Sequence, residues 1–166
     1  MAGVEIIQAD ITALDVDVIV NSANPSLLAG GGVCGAIHAK AGPELERASR
    51  ALGPISPGES VITPGYNLMA KYVIHSVAPI YASRSQVAVN WLLRSAYESA
   101  LALHDQVPSA RSIAFPSMGT GIYGWPLEEA AGIAVKALRA SRFERTLLCA
   151  YSEKVYQAYK AALGDV

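Results

Sequence analysis

The sequence predicts an α/β domain built on a largely parallel β-sheet. Six short segments rich in Val and Ile alternate along the chain with longer segments whose apolar residues recur at helical spacing. Such an alternation places helices on both faces of a sheet whose strands run mostly in one direction. With 166 residues, 52% of them hydrophobic, the chain is expected to form a single domain over residues 1–166 with a full core.

The individual elements follow from composition and from signals at their ends. Ser152, with Glu153 behind it, is a suitable N-cap, and Pro126 followed by Glu128 and Glu129 suits the first turn of a helix. Strands are predicted at residues 4–8, 16–20, 60–63, 72–77, 112–116 and 146–150. Helices are predicted at residues 33–40, 43–51, 89–104, 126–140 and 152–163.

Composition argues against several classes of protein. The formal net charge of −1 argues against general binding to nucleic acid. The start of the chain lacks the basic and apolar regions of a signal peptide, and no apolar stretch reaches the length of a membrane span. We therefore expect a cytoplasmic protein with no membrane partner. The three histidines and two cysteines show no metal-ligand spacing, so no metal and no cofactor are expected.

A glycine-rich loop after the second strand is the first candidate site. The strand leads into Asn21 and Asn24, then into three consecutive glycines at positions 30–32, and then into the small, apolar start of a helix. Glycines let the backbone approach a ligand, and a helix start offers unpaired N–H donors and the positive end of the helix dipole. The combination predicts a site for an anion, most often phosphate, with amide groups nearby for sugar hydroxyls.

A second loop, residues 115–126, also lies between an apolar strand and a helix. After Phe115 it carries three glycines, the hydroxyls of Ser117 and Thr120, and the aromatic rings of Tyr123 and Trp125. Ligands of parallel sheets bind beyond the carboxyl ends of the strands, where both loops are expected to lie. The two loops therefore predict a clamp that holds a diphosphate from both sides.

Together the loops resemble the macrodomain family, whose members bind ADP-ribose. No G-x-G-x-x-G follows the first strand and the chain has no G-x-x-x-x-G-K-[ST], so the dinucleotide-fold and P-loop interpretations lose their main support. The segments that match the family are residues 9–12, 21–38, 72–77 and 117–126, in family order and nearly from end to end. The resemblance implies a three-layer α/β/α sandwich with a mixed sheet, and ADP-ribose as ligand or product.

The resemblance also implies a role for individual residues. The aspartate matched by Asp10 accepts a hydrogen bond from the adenine amino group, and the next N–H, here that of Ile11, serves the ring. Asn24 and Tyr123 match residues at the distal ribose, and Tyr151 matches an aromatic that often flanks adenine. The residues expected around the diphosphate and ribose are Gly31, Gly32, Val33, Cys34, Gly35, Ser117, Gly119, Thr120, Gly121 and Ile122.

Structural interpretations stand beside these roles. Asp10 could cap a turn shared with Thr12, Asn24 could brace its own turn, and Tyr123 could pack in the core. The residues for which a structural role is favoured are Asn21, His38, His75 and Trp125, whereas His104 is expected at the surface.

Cys34 is a departure from the family pattern. Hydrolytic members of the MacroD type typically carry aspartate here, ten residues after the asparagine matched by Asn24, and that aspartate is proposed to activate water. A thiol is a poor substitute as a general base, and a small side chain at this position also suits simple space filling. Substrate-assisted catalysis, in which a phosphate oxygen orients the water, needs no carboxylate.

The function implied by the resemblance is binding of ADP-ribose and hydrolysis of ADP-ribosyl esters, weakened by Cys34. The substrates would be mono-ADP-ribosylated proteins or O-acetyl-ADP-ribose, and the candidate catalytic residues are Asn24, Cys34 and Tyr123. A non-catalytic reader of ADP-ribose is the alternative from another class. A phosphatase acting on ADP-ribose 1″-phosphate is a third possibility.

Overall fold

One six-stranded sheet organises the computed structural model, which describes residues 3–164. Its strands are β1 (Val4–Gln8), β2 (Val18–Ser22), β3 (Ser60–Pro64), β4 (Tyr72–Ser76), β5 (Ser112–Pro116) and β6 (Arg145–Ala150). Their order across the sheet is β1-β6-β5-β2-β4-β3. Neighbouring strands are parallel except β3 and β4, which are antiparallel, so the predicted mixed, largely parallel sheet is confirmed.

Helices cover both faces of this sheet. They are α1 (Gly32–Ala41), α2 (Pro43–Leu52), α3 (Gln86–Ala102), α4 (Leu127–Leu138) and α5 (Glu153–Ala162). Successive side chains of β2 point to opposite faces of the sheet and so enter two separate cores. Val18 and Val20 belong to the core formed with α3, α4 and α5, whereas Ile19 belongs to the core formed with α1 and α2. The three-layer α/β/α sandwich is therefore confirmed.

Aromatic side chains fill the larger of the two cores. Tyr97 of α3 and Phe115 of β5 are fully buried, with ring centroids 5.4 Å apart. Tyr159 of α5 is also fully buried. Burial of such side chains contributes roughly 2–3 kcal/mol each, and it fixes α3 and α5 against the strand that leads into the second glycine loop.

Most predicted boundaries differ from the structure by one to three residues, and three of these differences have a clear physical cause. β2 begins at Val18, two residues later than predicted, and continues through Asn21, because the ladder with β4 pairs Asn21 with His75. Pro126 has extended backbone (ψ 134°) and precedes α4 instead of occupying its first position. Helix α3 begins at Gln86, three residues early, because the Ser85 hydroxyl accepts a hydrogen bond from the Ala88 N–H.

Parallel strands bring their carboxyl ends to one edge of the sheet. The segments that follow β1, β2, β5 and β6 meet there, and α1 begins there as well.

Within residues 3–164 no helix has the length and hydropathy needed to cross a membrane.

Candidate ligand site

A cavity of about 1110 Å³ opens at this edge of the sheet. Its volume lies slightly above the usual range of small-molecule sites, which is on the order of 300–1,000 Å³. Residues that follow four different strands line it, together with the first turn of α1 and both glycine loops. Of the residues predicted for the site, those that line the cavity are Asp10, Ile11, Asn24, Gly31, Gly32, Val33, Cys34, Ser117, Gly119, Thr120, Gly121, Ile122, Tyr123 and Tyr151.

The first wall is the N-terminal end of α1. Gly31 occupies the N-cap position and no side chain caps the helix, so the first N–H groups of α1 are available as donors. Gly32, Val33 and Cys34 line the cavity at this point. Uncapped N–H groups and the helix dipole together favour an anion here.

Gly35 differs from its neighbours because it does not line the cavity. A Cβ atom at this position would collide with the carbonyl oxygen of Gly30. The structure therefore gives Gly35 a packing function: it lets the helix pass close beneath the loop. Its predicted contact with the ligand has no support in this geometry.

Asn24 lines the cavity, but its amide also holds the first loop together. Its Nδ2 donates to the Leu28 carbonyl (2.8 Å), and its Oδ1 accepts from the Leu28 N–H (3.2 Å). Helix α2 anchors the same loop, since the Glu46 carboxylate accepts from the Ala29 N–H at 2.6 Å and the Ser49 hydroxyl donates to the Leu27 carbonyl at 2.7 Å. Both interpretations of Asn24, as a turn brace and as a residue facing the ligand, are thus compatible with the structure.

Behind Cys34 lies a buried polar cluster. The Asn21 side chain, fully buried, donates to the Cys34 sulfur (3.6 Å) and contacts His75 Nδ1 (3.3 Å). The other ring nitrogen of His75 contacts the Thr63 hydroxyl at 3.0 Å. Burial lowers the pKa of His75 to about 3 and also lowers the pKa of His38, so both rings are neutral at pH 7. Structural roles for Asn21, His38 and His75 are therefore supported.

The second wall is the loop between β5 and α4. Ser117 and Thr120 place their hydroxyls 2.8 Å apart at the cavity surface. Gly119 has a positive φ of 85°, and a Cβ there would meet the Trp125 ring at 2.7 Å, so this turn requires glycine. Trp125 is 4% exposed and donates to the Pro79 carbonyl, which confirms that it packs beneath the loop.

Gly121 and Ile122 form the outer part of this loop. Space beyond Gly121 is open, because an added Cβ would meet nothing within 4 Å. Ile122 is 98% exposed at the rim. Tyr123 is half-buried, and burial, together with the nearby Cys34, raises the pKa of its hydroxyl. Tyr123 and Cys34 both line the cavity.

Asp10 marks one end of the cavity. Its Oδ1 accepts from both the N–H (2.9 Å) and the hydroxyl (2.7 Å) of Thr12, and these hydrogen bonds lower the pKa of the carboxyl. Asp10 lines the cavity and caps the turn, and neither of these bonds uses its second carboxylate oxygen, Oδ2. Tyr151, 64% exposed, stands at the same end just beyond β6.

The lining is almost without charge. No Lys or Arg is among the described residues that line the cavity, and Asp10 is the single carboxylate among them. An anion would therefore be held by backbone N–H groups, hydroxyls and the dipole of α1. No group of three His, Cys, Asp or Glu residues within positions 3–164 is arranged to hold a metal ion.

Some lining residues escaped the sequence interpretation. Cys149 lines the cavity, donates to the Ala9 carbonyl (3.1 Å), and has its pKa raised to about 11 by burial. Its position near the end of β6 was the available signal. Gly30, part of the glycine run predicted to bind an anion, also lines the cavity. The glycines at 30, 32 and 35, and again at 119, 121 and 124, repeat a G-x-G-x-x-G spacing after the second and fifth strands. Other lining residues outside the prediction are Gln8, Ala9, Thr12, Ser22, Ala23, Ala36 and Pro116.

Comparison with known proteins agrees with this geometry. The family model described as Macro domain matches residues 20–134. The O-acetyl-ADP-ribose deacetylase of Klebsiella pneumoniae is 44% identical over 97% of this chain and 96% of its own length. The ADP-ribose glycohydrolase MACROD2 of Xenopus laevis is 43% identical over 95% of this chain, which spans 39% of that longer protein.

Solved structures of macrodomains also match this chain. A variant of the Oceanobacillus iheyensis macrodomain with ADPR has a TM-score of 0.91 to this chain, with 38% identity, covering 98% of this chain and 92% of the other. The resemblance found in the two loops thus extends through the whole fold. The chain belongs to the macro domain family.

Proposed function

We propose that this macro domain binds ADP-ribose in the cavity and slowly hydrolyses ADP-ribosyl esters. The observation that carries the proposal is the pair of facing walls, an uncapped helix start and a hydroxyl-bearing glycine loop, with an ionised carboxylate at one end. Uncharged donors on two sides suit a diphosphate. The bound nucleotides of the family's solved structures support the same choice of ligand.

The direction of the ligand follows from the two ends of the cavity. Asp10 Oδ2 can accept from the adenine amino group, and Tyr151 offers a ring beside the base. The diphosphate would then lie between the start of α1 and the second loop. The distal ribose, which carries the leaving group, would reach Asn24, Cys34 and Tyr123.

Hydrolysis would depend on orientation more than on a base. The described lining offers no carboxylate near Cys34, so a water molecule there would be directed by the ligand's own phosphate oxygens and by Asn24. Positioned general bases contribute typically about 10²–10⁴-fold. We therefore propose turnover that is slow but measurable, on O-acetyl-ADP-ribose or on proteins carrying ester-linked ADP-ribose.

A non-catalytic reader is the second candidate. The observation that favours it is the Cys34 sulfur itself, which accepts from Asn21 and donates to the Leu28 carbonyl (3.6 Å each). These contacts direct the thiol into the wall and not toward the distal end. A reader would keep every binding contact and release no product.

One substrate panel separates the two. The protein is incubated with O-acetyl-ADP-ribose, with Glu-linked and with Ser-linked ADP-ribosylated protein, and product release is followed over time. Slow release from the two ester substrates supports hydrolysis. Binding of ADP-ribose with no release from any substrate supports the reader.

A further inference from the structure

A chain of hydroxyl groups runs from the core to the cavity. The fully buried Tyr159 hydroxyl of α5 lies 2.7 Å from Ser117 Oγ, which lies 2.8 Å from Thr120 Oγ1. Ser117 and Thr120 line the cavity. In the same core, the fully buried Tyr97 of α3 accepts a hydrogen bond from the Met118 N–H at 3.1 Å.

The direction of the protons along this chain is set at its buried end. The Tyr159 hydroxyl is fully buried, so its proton needs an acceptor within the protein. The short contact available to it is Ser117 Oγ at 2.7 Å, whereas the nearby core hydroxyl of Tyr97 already accepts from the Met118 N–H. Tyr159 therefore donates and Ser117 accepts.

The same sense continues to the cavity surface. Tyr159 then donates to Ser117, and Ser117 donates to Thr120, so the Thr120 proton is the one left over. Its partner within the protein is the Ser117 carbonyl at 3.4 Å, a long hydrogen bond. Burial raises the pKa of Tyr159 to about 12 and that of Tyr97 well above its usual range, so both phenols remain protonated and the order persists across physiological pH.

We propose that Tyr159 is a positioning residue that orients the Ser117 and Thr120 hydroxyls, so that Thr120 presents a preset O–H donor to the diphosphate. The inference rests on the proposed binding of ADP-ribose in this cavity. An oriented hydroxyl donor matters at this site because the described lining has no Lys or Arg that could hold the diphosphate. A donor whose direction is fixed before binding avoids the cost of ordering it.

The test compares Tyr159→Phe with Thr120→Val in calorimetric titrations with ADP-ribose. Tyr156→Phe removes a phenolic hydroxyl from the same helix, outside the chain of hydroxyls, and serves as the matched control. We expect Tyr159→Phe and Thr120→Val each to weaken binding about three- to tenfold. The Tyr156→Phe variant should bind like the parent.

The double variant Tyr159→Phe/Thr120→Val distinguishes positioning from general damage. If Tyr159 acts through Thr120, the double variant should bind no more weakly than Thr120→Val alone. Adenosine, followed by NMR titration, should bind Tyr159→Phe and the parent equally, because it lacks the diphosphate. Additive losses in the double variant, an equal loss of adenosine binding, or unchanged ADP-ribose binding by Tyr159→Phe would each overturn the inference.

If the proposed function is wrong, the binding measurements differ from those that would overturn the oriented hydroxyls. A parent protein that binds inorganic pyrophosphate but not ADP-ribose would refute the proposed ligand. The same variants would then be compared with pyrophosphate, where a loss in Tyr159→Phe that disappears in the Thr120→Val background still supports the oriented hydroxyls. Equal pyrophosphate binding by all variants would overturn them.

Discussion

Asp10 combines two functions in one side chain, and a single substitution separates them. Asp10→Asn keeps an oxygen for the Thr12 hydrogen bonds but replaces Oδ2, the acceptor proposed for the adenine amino group, with an NH₂ donor. We expect ADP-ribose binding to weaken by about 1.5–3 kcal/mol, the value of a hydrogen bond to a charged group, with little change in stability. Thr12→Val, which perturbs the turn and spares the carboxylate, is the control. If calorimetry shows full affinity for Asp10→Asn, Asp10 serves only as a cap.

The side chain at position 34 is expected to determine the rate of ester hydrolysis at the distal ribose. Cys34→Asp should raise ester hydrolysis, because a carboxylate can act as a base there, provided repulsion with the diphosphate does not abolish binding. Cys34→Ala should change the rate little, whereas Asn24→Ala should reduce it. The rates are measured on O-acetyl-ADP-ribose.

A thiol reagent gives an independent check on Cys34. The chain has two cysteines, so Cys149→Ala leaves Cys34 as the single target. If Cys34→Ala, or alkylation of the Cys149→Ala variant, abolishes turnover while ADP-ribose still binds, the thiol takes part in the reaction and the space-filling interpretation is wrong.

Single residues were predictable where their neighbours in sequence decide their environment. The cap with Thr12 could be expected because Asp10 directly follows a strand, whereas its place in the cavity lining was expected from the resemblance to the family. Asn24 was harder, because its bonds to Leu28 depend on the path of the whole loop. Tyr159 could not be predicted, since its contact with Ser117 joins residues 42 positions apart.

At the scale of elements, the second glycine loop allows a steric test. Gly121→Glu should place bulk and negative charge in the open space that the diphosphate would occupy. We expect loss of ADP-ribose binding with a melting temperature within a few degrees of the parent. Gly132→Glu makes the same change on the exposed face of α4, where space is also open, and should bind normally. A large loss of stability in Gly121→Glu alone would show that this glycine serves the fold.

Strands and helices were predictable because their signals are local. The six strands and five helices lie where composition and caps place them, within a few residues. One error arose where tertiary pairing decides a boundary, since β2 continues to Ser22 because β4 pairs with it throughout. The start of α3 was missed for a different reason, because the local N-cap at Ser85 was overlooked. Gly35 was assigned to the ligand because it shares a loop with Gly31 and Gly32, although its close approach to Gly30 gives it a packing role.

At the scale of the whole molecule, the buried histidines make stability depend on pH. The pKa of His75 falls from 6.5 in an open chain to about 3 in the fold, because burial disfavours its charged form. Below pH 6.5 the unfolded chain binds a proton that the folded protein does not, so stability declines as pH falls from 6.5 toward 3. The titration of His75 alone should lower the free energy of unfolding by about 2 kcal/mol as the pH falls from 6.5 to 5. His38 acts in the same direction.

Urea unfolding at pH 7.5, 6 and 5 measures this dependence. The lowered pKa values of Asp10 and Asp17 affect stability only at lower pH, near and below the ordinary range of carboxyl groups. A His75→Gln variant should show a flatter profile over the same interval. A parent protein whose stability is constant from pH 7.5 to pH 5 would contradict the buried, neutral state of His75.

The central claim is that two uncharged walls hold a diphosphate between an adenine end and a distal ribose end. Isothermal titration calorimetry of ADP-ribose against AMP tests it most directly, because AMP keeps the adenine and lacks the second phosphate and distal ribose. We predict micromolar affinity for ADP-ribose, roughly −7 to −9 kcal/mol, and binding of AMP at least about tenfold weaker. Equal affinity for the two ligands would contradict the claim.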